Sequence, residues 1–414
     1  MADDPIKDLG NKTPLQYAST PTLDWLANSG VLGTAITIPE GMHAGSDTAI
    51  LSILGLNPQD YFSGRAPLEA AATDIKLSSG DVAYRCNMLS IEDGDKPFEE
   101  KLILSHSAGS IEGKESNELI IDLFNTPAFK KPAEKAGLKI HPGSSFRHLA
   151  VQASRGTGTL LADKARCLSP CLLSPPHDHL DEVLGQYLPK GEKNAELLKN
   201  LIQLSNEILD DHPINKKRRS EGKLPANCIW FWAEGTAVEL PKFNELYGKT
   251  GSVISAVPLC RGIGVLMGLE KILVSGATGE LNTNYEGKVD AAVKSLENKD
   301  FTLLHVEAPD ECTHNGDLEG KLQAIEWIDS RILMPLLKQL NDDKTDFRML
   351  VMSDHRTLLS TRGHDSGPVP YVIYDSRHNA QSGLKFCESD AQRTKPSIDG
   401  IKLMSLLFEE QAEI

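Results

Sequence analysis

A chain of 414 residues, 40% of them hydrophobic and 24% charged, is too long for one typical core and has the composition of a globular protein with two domains. Its net charge of −15 argues against a nucleic-acid or anionic-membrane surface as the main partner. No apolar run approaches the length of a membrane span, and no secretory leader is read at the start. The seven cysteines are scattered. Only Cys167 and Cys171 lie close, as C-x3-C without a second pair, so free thiols in a reducing cytoplasm are expected and a structural zinc site is not.

In chain order, the first segment with a chemical signal is GMHAGSDTAI, residues 41–50. A strand and a turn precede it, and SDTAILSIL reads as the opening turns of a helix. A serine at such a corner ordinarily caps the helix, its oxygen accepting a free backbone N–H. The position equally suits a nucleophile, because helix N-termini attract phosphate and other anions. The local sequence leaves both readings of Ser46 open. His43 beside it reads as a turn residue.

From residue 64 to 225 the text becomes richer in Gly, Ser, Pro and charge, with shorter apolar runs. It reads as an inserted α+β domain hinged near SGRAP and GKLPAN, leaving 1–63 and 226–414 as a discontinuous core. Within the insert, PPHDHLD (175–181) sets His177 and Asp178 after two prolines and carries no assigned role.

Beyond the insert, CIWFW (228–232) and SVISAV (252–257) read as strands. GIGVLMG (262–268) misses the dinucleotide-binding glycine spacing by one residue and reads as helix packing. FTLLHVEAP (301–309) and FRMLVMS (347–353) are apolar, β-rich runs typical of buried parallel strands. Between them a helix carries Leu318, Leu322, Ile325, Ile328, Ile332 and Leu336 on one face, with Pro335 expected to kink it or end its regular part. PVPYVIYD (368–375) is a further strand. The alternation predicts an α/β fold, a mostly parallel sheet with helices on both faces.

Two strand ends carry the strongest chemical signal. HVEAPDECTH sets Asp310 and His314 just past one strand, VMSDHRT sets Asp354 and His355 past another, and STRGHDSGPVP adds His364. Ligands in open α/β sheets bind at the carboxyl ends of strands, and gathered carboxylates and imidazoles suit a divalent ion such as manganese or zinc. Beside metal ions Ser46 becomes an activatable nucleophile, and a two-metal site clamps a transferring phosphoryl group.

These residues also carry a resemblance. KTPLQYASTPTLDWLANSG, PEGMHAGSDTAILSILGLNP, GRAPLEAA, APDECTHNGD, SDHRT and TRGHDSGPVPYVIYD, with N-x-x-R-x-x-x-G-x-x-P-A-N at 215–227, are similar to the archaeal-type 2,3-bisphosphoglycerate-independent phosphoglycerate mutases of the alkaline phosphatase superfamily. The resemblance implies an alkaline-phosphatase-like core interrupted by a substrate-binding domain. It also implies a phosphoserine intermediate and two divalent metal ions (Mn2+ expected, Zn2+ or Co2+ compatible), with no 2,3-bisphosphoglycerate. By motif, Ser46 is the phosphoserine. Asp310, His314 and His364 hold one metal, and Ser46, Asp354 and His355 the other. Lys288 lies near the phosphate, and Arg147 and Arg218 grip the carboxylate, arginine forks matching carboxylates bidentately. The expected partner is a small phosphoglycerate in the cytoplasm, with no nucleic acid or membrane.

Two other readings stay open at this level: a metal-dependent phosphohydrolase on the same fold, and a catalytically impaired metal-binding paralogue. Members of the resembled family open with an apolar strand ending in Asp-Gly, immediately before the Met-Ala-Asp that is residues 1–3 here, and its aspartate completes the second metal site. For a chain starting at Met1 the expectation is either a second metal held more weakly than the first or a start about ten residues upstream, a strand plus its turn.

Overall fold

The computed structural model describes residues 1–143, 145–154, 171–342, 344–378 and 380–409. Cys167 of the C-x3-C pair lies outside them, and Cys171 is a free, half-buried thiol. The chain forms two compact units, Met1–Phe62 with Glu239–Ile414, and Ser63–Val238. Among the described residues no helix is long and apolar enough to cross a membrane.

Strand β1 (Val31–Ile36) belongs to the first unit. The second holds β2 (Val82–Ile91), β3 (Ile103–Ser105), β4 (Leu138–His141), β5 (Arg147–Gln152) and β6 (Cys228–Thr236). The first unit resumes with β7 (Gly251–Ile254), β8 (Glu270–Ile272), β9 (Phe301–Leu304) and β10 (Arg348–Met352). It ends with β11 (Arg356–Leu358), β12 (Gly363–Asp365), β13 (Val369–Asp375) and β14 (Ile398–Asp399).

The first unit is mixed α/β, and its sheets correct the expectation of a mostly parallel arrangement. Among the described residues only β8-β7-β9 is parallel throughout. In the sheet β10-β13-β1-β14, β13 runs antiparallel to both β10 and β1, and β14 alone is parallel to its neighbour. The connection explains this. Parallel neighbours need a long crossover, usually a helix, whereas the chain between β10 and β13 forms the β11–β12 hairpin instead. Nor are β9 and β10 the fully buried strands their composition suggested. Among the described residues each pairs with one strand only, and Leu303, Leu304 and Leu350 stay half-buried.

Gly33 faces Tyr371 across the β1–β13 register. A Cβ there would sit 2.8 Å from the tyrosine ring, so any larger residue would have to displace that ring.

The apolar helix face buries Ile325, Ile328 and Ile332 against Leu23, Leu26 and Val372. Leu318 to Ile328 is α-helical, Asp329–Leu333 forms a π-helical turn, and Met334–Asp342 is α-helical again. Pro335 supplies the reason: it has no N–H to give and its ring crowds the preceding turn, which widening relieves. Asp329, in that turn, accepts N–H bonds from Thr22 and Leu23 at 3.2 and 2.7 Å. It thereby satisfies free donors at the start of helix Pro21–Ser29.

The second unit is an antiparallel sheet, β3-β2-β5-β4, with β6 also paired to β2. Its core gathers Tyr84, Phe129, Trp230 and Phe231. This moves the expected return to the first unit from residue 226 to 239. Strand β6 zips along β2 from Leu89↔Cys228 to Val82↔Thr236 and so belongs to the insert.

Candidate active site

Ser46 opens the helix Ser46–Ile53, and Gly45 occupies its N-cap position. The serine side chain makes no capping bond there, which removes the capping reading. Its Oγ lies 3.1 Å from His355 Nε2. The His355 Nδ1–H donates to the Arg356 carbonyl at 3.1 Å, so Nε2 presents its lone pair on the serine side. Asp354 accepts the His355 backbone N–H at 3.0 Å through Oδ1. Its Oδ2 is buried, 3.4 Å from His355 Nε2 and outside regular hydrogen-bond geometry, an anionic oxygen of the kind a cation satisfies.

The second group stands on helix Ala308–His314 and on β12. Asp310 Oδ2 is 3.1 Å from His314 Nε2, Asp310 Oδ1 is 3.4 Å from His364 Nε2, and the two Nε2 atoms are 2.9 Å apart. Each ring is oriented by a carbonyl: His314 Nδ1–H donates to Arg362 at 2.8 Å, and His364 Nδ1–H to Ala44 at 3.2 Å. Two Nε2 lone pairs so close repel unless positive charge lies between them. A proton on His314 provides it in the ion-free protein, and the Asp310 hydrogen bond pushes that imidazole up to about 9. A divalent ion held by the same donors would supply that charge in the proton's place. Ligand atoms of Asp310, His314 and His364 all lie within 4.8 Å of one another, and carbonyl-oriented imidazoles are the usual support of metal ligands. The donor set fits a divalent cation.

Burial works to raise both carboxylic acids and is outweighed. Bonds from His314 and His364 and the charge of His355 hold Asp310 far below the ordinary range. His355, His305 and Ser46 do the same, less strongly, for Asp354. Thr357 Oγ1 donates to Asp310 at 2.6 Å, tying β11 to this carboxylate.

Sequence reasoning missed two neighbours. His305 Nδ1 lies 3.0 Å from Ser255 Oγ, and its Nε2 lies 3.2 Å from Glu307 Oε2. Burial, then the charges of Asp310 and Asp354, push the Glu307 carboxyl well up. Both residues stand in HVEAP immediately before Asp310, so their i, i+2 spacing at a ligand-bearing strand end was the available signal. Lys288 is fully buried on helix Tyr285–Leu296. Its Nζ donates to the His305 carbonyl at 3.1 Å, and burial pushes it down to about 8.

The two arginines expected at the carboxylate part company. Arg147, exposed at the start of β5, lies over the Phe146 ring at 4.8 Å. Arg218 is buried and its fork is committed within the chain. It donates to the Leu224 carbonyl at 2.9 Å, to Glu115 at 2.7 Å and to the Ala108 carbonyl at 2.9 Å. It is not poised to grip a substrate carboxylate; helix Pro213–Ser220 turns it inward.

Comparison with known proteins bears on what this arrangement serves. A family model described as 2,3-bisphosphoglycerate-independent phosphoglycerate mutase matches residues 27–215. The protein of that name from Methanosarcina acetivorans is 44% identical over 391 residues, covering 94% of this chain and 92% of the relative. The chain belongs to the 2,3-bisphosphoglycerate-independent phosphoglycerate mutase family. Its namesake from Methanosarcina barkeri is 43% identical and covers 98% of this chain and 96% of its own. Among solved structures, a Pyrococcus horikoshii protein superposes with a TM-score of 0.78 at 27% identity, over 100% of this chain and 97% of that one. The cofactor-independent phosphoglycerate mutase of Thermoplasma acidophilum matches with a TM-score of 0.59 at 25% identity, over 98% and 96%. Members of this mutase family are isomerases, and the chain is an enzyme of that class.

Proposed function

We propose that this enzyme interconverts 3-phosphoglycerate and 2-phosphoglycerate by passing the phosphoryl group through Ser46. The observation that carries the reading is the placement of Ser46: first residue of a helix, free of capping, 3.1 Å from His355. The Ser46 oxygen attacks phosphorus, the bond from phosphorus to the glycerate oxygen breaks, and the other glycerate hydroxyl later takes the group back. Backbone N–H groups at the start of the Ser46 helix face the phosphoryl oxygens. Because the chain itself stores the phosphoryl group, no 2,3-bisphosphoglycerate is required.

Asp310, His314 and His364 would hold one divalent ion, and Ser46, Asp354 and His355 a second; Mn2+ is expected, and the same donors suit Zn2+ or Co2+. When bound, such ions supply charge neutralisation at the attacking and leaving oxygens and a deprotonated serine. The chain's own contribution is to aim these groups: Arg362, Ala44 and Arg356 carbonyls fix the three imidazoles. Lys288 works through His305, holding the end of β9, instead of touching phosphate. Arg147 binds the carboxylate in the inserted substrate-binding unit. The core takes an alkaline-phosphatase-like layout, and the free thiols Cys86 and Cys228 suit a reducing cytoplasm.

The test sets an enolase-coupled assay on 3-phosphoglycerate against release of inorganic phosphate from the same substrate. Enolase-dependent product with little free phosphate is expected. Phosphate release without 2-phosphoglycerate would make the chain a phosphohydrolase.

A further inference from the structure

Lys321 is a cation removed from solvent that has no part in the assignments above. It stands on helix Leu318–Ile328. Its side chain is 0% exposed and its Nζ lies 2.6 Å from the carboxylate of Asp3, itself 2% exposed. The same Nζ donates to the Thr357 carbonyl at 2.8 Å. Asp3 in turn accepts the Leu359 N–H, 3.2 Å from its Oδ2 and 3.4 Å from its Oδ1. The pair thus grips β11 and the residue after it, by the Thr357 carbonyl and the Leu359 N–H. The Ala2 carbonyl accepts the Thr357 N–H at 3.2 Å, and Glu388 accepts the Asp3 N–H at 3.2 Å, fixing the segment that carries the acid.

Stability alone is a poor reason for such a pair. Taking two charges out of water costs about what their attraction returns, and an apolar pair of similar volume is often at least as stable. What a buried, hydrogen-bonded pair does supply is a fixed geometry between the elements that bear it.

Those elements lead to the metal donors. Thr357, also buried, donates through Oγ1 to Asp310 Oδ1 at 2.6 Å and lies 3.3 Å from His355 Nδ1. His364 is its partner across the β11–β12 register. On the other side, helix Ala308–His314, with Asp310 and His314, runs through a short turn into the helix of Lys321. In that turn the Asp317 N–H donates to the Cys312 carbonyl at 2.8 Å, and Asp317 Oδ1 accepts the Gly320 N–H at 2.8 Å. The donor-bearing helix is therefore tied to Lys321, and Lys321 to the strand that presents Thr357.

We infer that Asp3 and Lys321 are positioning residues of the candidate metal centre, acting through the Thr357 hydroxyl on the Asp310 carboxylate. The inference rests on the reading of Asp310, His314 and His364 as metal donors and adds the pair that sets their spacing. With Oδ1 held by the threonine, the carboxylate keeps its Oδ2 toward His314, 3.1 Å away. A strand no longer gripped at residue 357 lets that hydroxyl drift and the carboxylate turn, and a ligand so released binds a cation less tightly.

The test titrates the full chain with Mn2+, followed by the electron paramagnetic resonance of the free ion, beside urea midpoints of the same proteins. His314→Ala identifies which Mn2+ belongs to this site. Lys321→Met leaves Asp3 buried and unpaired, so the midpoint is expected to fall and Mn2+ to bind about tenfold more weakly, the low end of what losing the support of a metal ligand does. Adding Asp3→Asn removes the second charge and keeps an acceptor for the Leu359 N–H. The midpoint is then expected to return toward the parent's while Mn2+ binding stays about tenfold weak. Affinity that recovers with the midpoint would reduce the pair to a structural role and overturn the inference.

A second measurement decides the matter even where the midpoint stays low. Thr357→Val is expected to weaken Mn2+ about tenfold by itself, and Lys321→Met added to it to weaken binding by no more than about threefold further, because residues acting along one path do not add. A full further tenfold would overturn the proposed route. A Mn2+ site that survives His314→Ala overturns the metal reading and this inference with it. A site lost in His314→Ala but indifferent to Lys321→Met overturns this inference alone.

Discussion

Ser46→Ala separates chemistry from folding cleanly, because the side chain caps nothing. Phosphoryl transfer is expected to vanish while stability falls by only about 0.5–1.5 kcal/mol, the scale of the one hydrogen bond to His355 that is lost; residual mutase turnover would take the nucleophile's role away from Ser46. Lys288 offers a pH signature. Its folded-state value is pushed down to about 8, so between about 8 and the ordinary lysine value of ~10.4 the unfolded chain binds the extra proton and stability gains with rising pH. Lys288→Met is expected to abolish that gain, read as urea midpoints measured from pH 7.5 to 10 in both proteins. A parallel pH trend in the variant would place the titration elsewhere. Apart from Ser46, the proposed metal donors stand out in the sequence because three short motifs, HVEAPDECTH, VMSDHRT and STRGHDSGPVP, hold them. The burial of Lys288 was not, since a glycine- and asparagine-rich run hides the helix that turns it inward. Arg218 misled for a related reason: N-K-K-R-R states four cations but not the carbonyls of Leu224 and Ala108 that meet one of them.

At the level of elements, the π-helical turn converts a proline defect into a cap. Asp329→Ala leaves the Thr22 and Leu23 amides without their acceptor, and a loss of about 1–3 kcal/mol is expected from a buried charge-assisted pair. Metal content should stay unchanged, because Asp329 is no ligand; a chemical denaturation curve paired with metal analysis checks both. The sequence located β9, β10 and β13 but not their directions. Apolar runs announce strands, whereas direction depends on what connects them. Between β10 and β13 that connection is the hairpin carrying Arg356 and His364, a segment valued in the sequence for its chemistry. Strand β6 likewise reads as a strand anywhere, and only its pairing with β2 shows which unit owns it.

Across the whole molecule, Ser46, Asp310, His314, Asp354, His355 and His364 all belong to the first unit. A bound divalent ion should therefore stabilise that unit selectively, by about 2.7 kcal/mol when present at a hundredfold over its dissociation constant. Hydrogen exchange followed by mass spectrometry, with and without Mn2+, is expected to show slowed exchange in peptides from β1, β10 and β13. Peptides from β2 and β6 should exchange as before. Equal slowing in both sets would mean that the ion acts on the insert as well.

The pairing of Val31 with Ile373 also fixes a timetable. At about 5–20 residues per second a ribosome needs roughly 20–70 s to deliver β13 after β1, and throughout that interval β1 has no strand to lie against. The insert faces no such wait, since β2 through β6 arrive as one contiguous stretch. It can close while the first unit is still half written. Nascent chains halted before β7 are therefore expected to resist protease across β2 to β6 and to be cut within the first unit's opening segment. Newborn β1 is the place where a holding chaperone has something to hold.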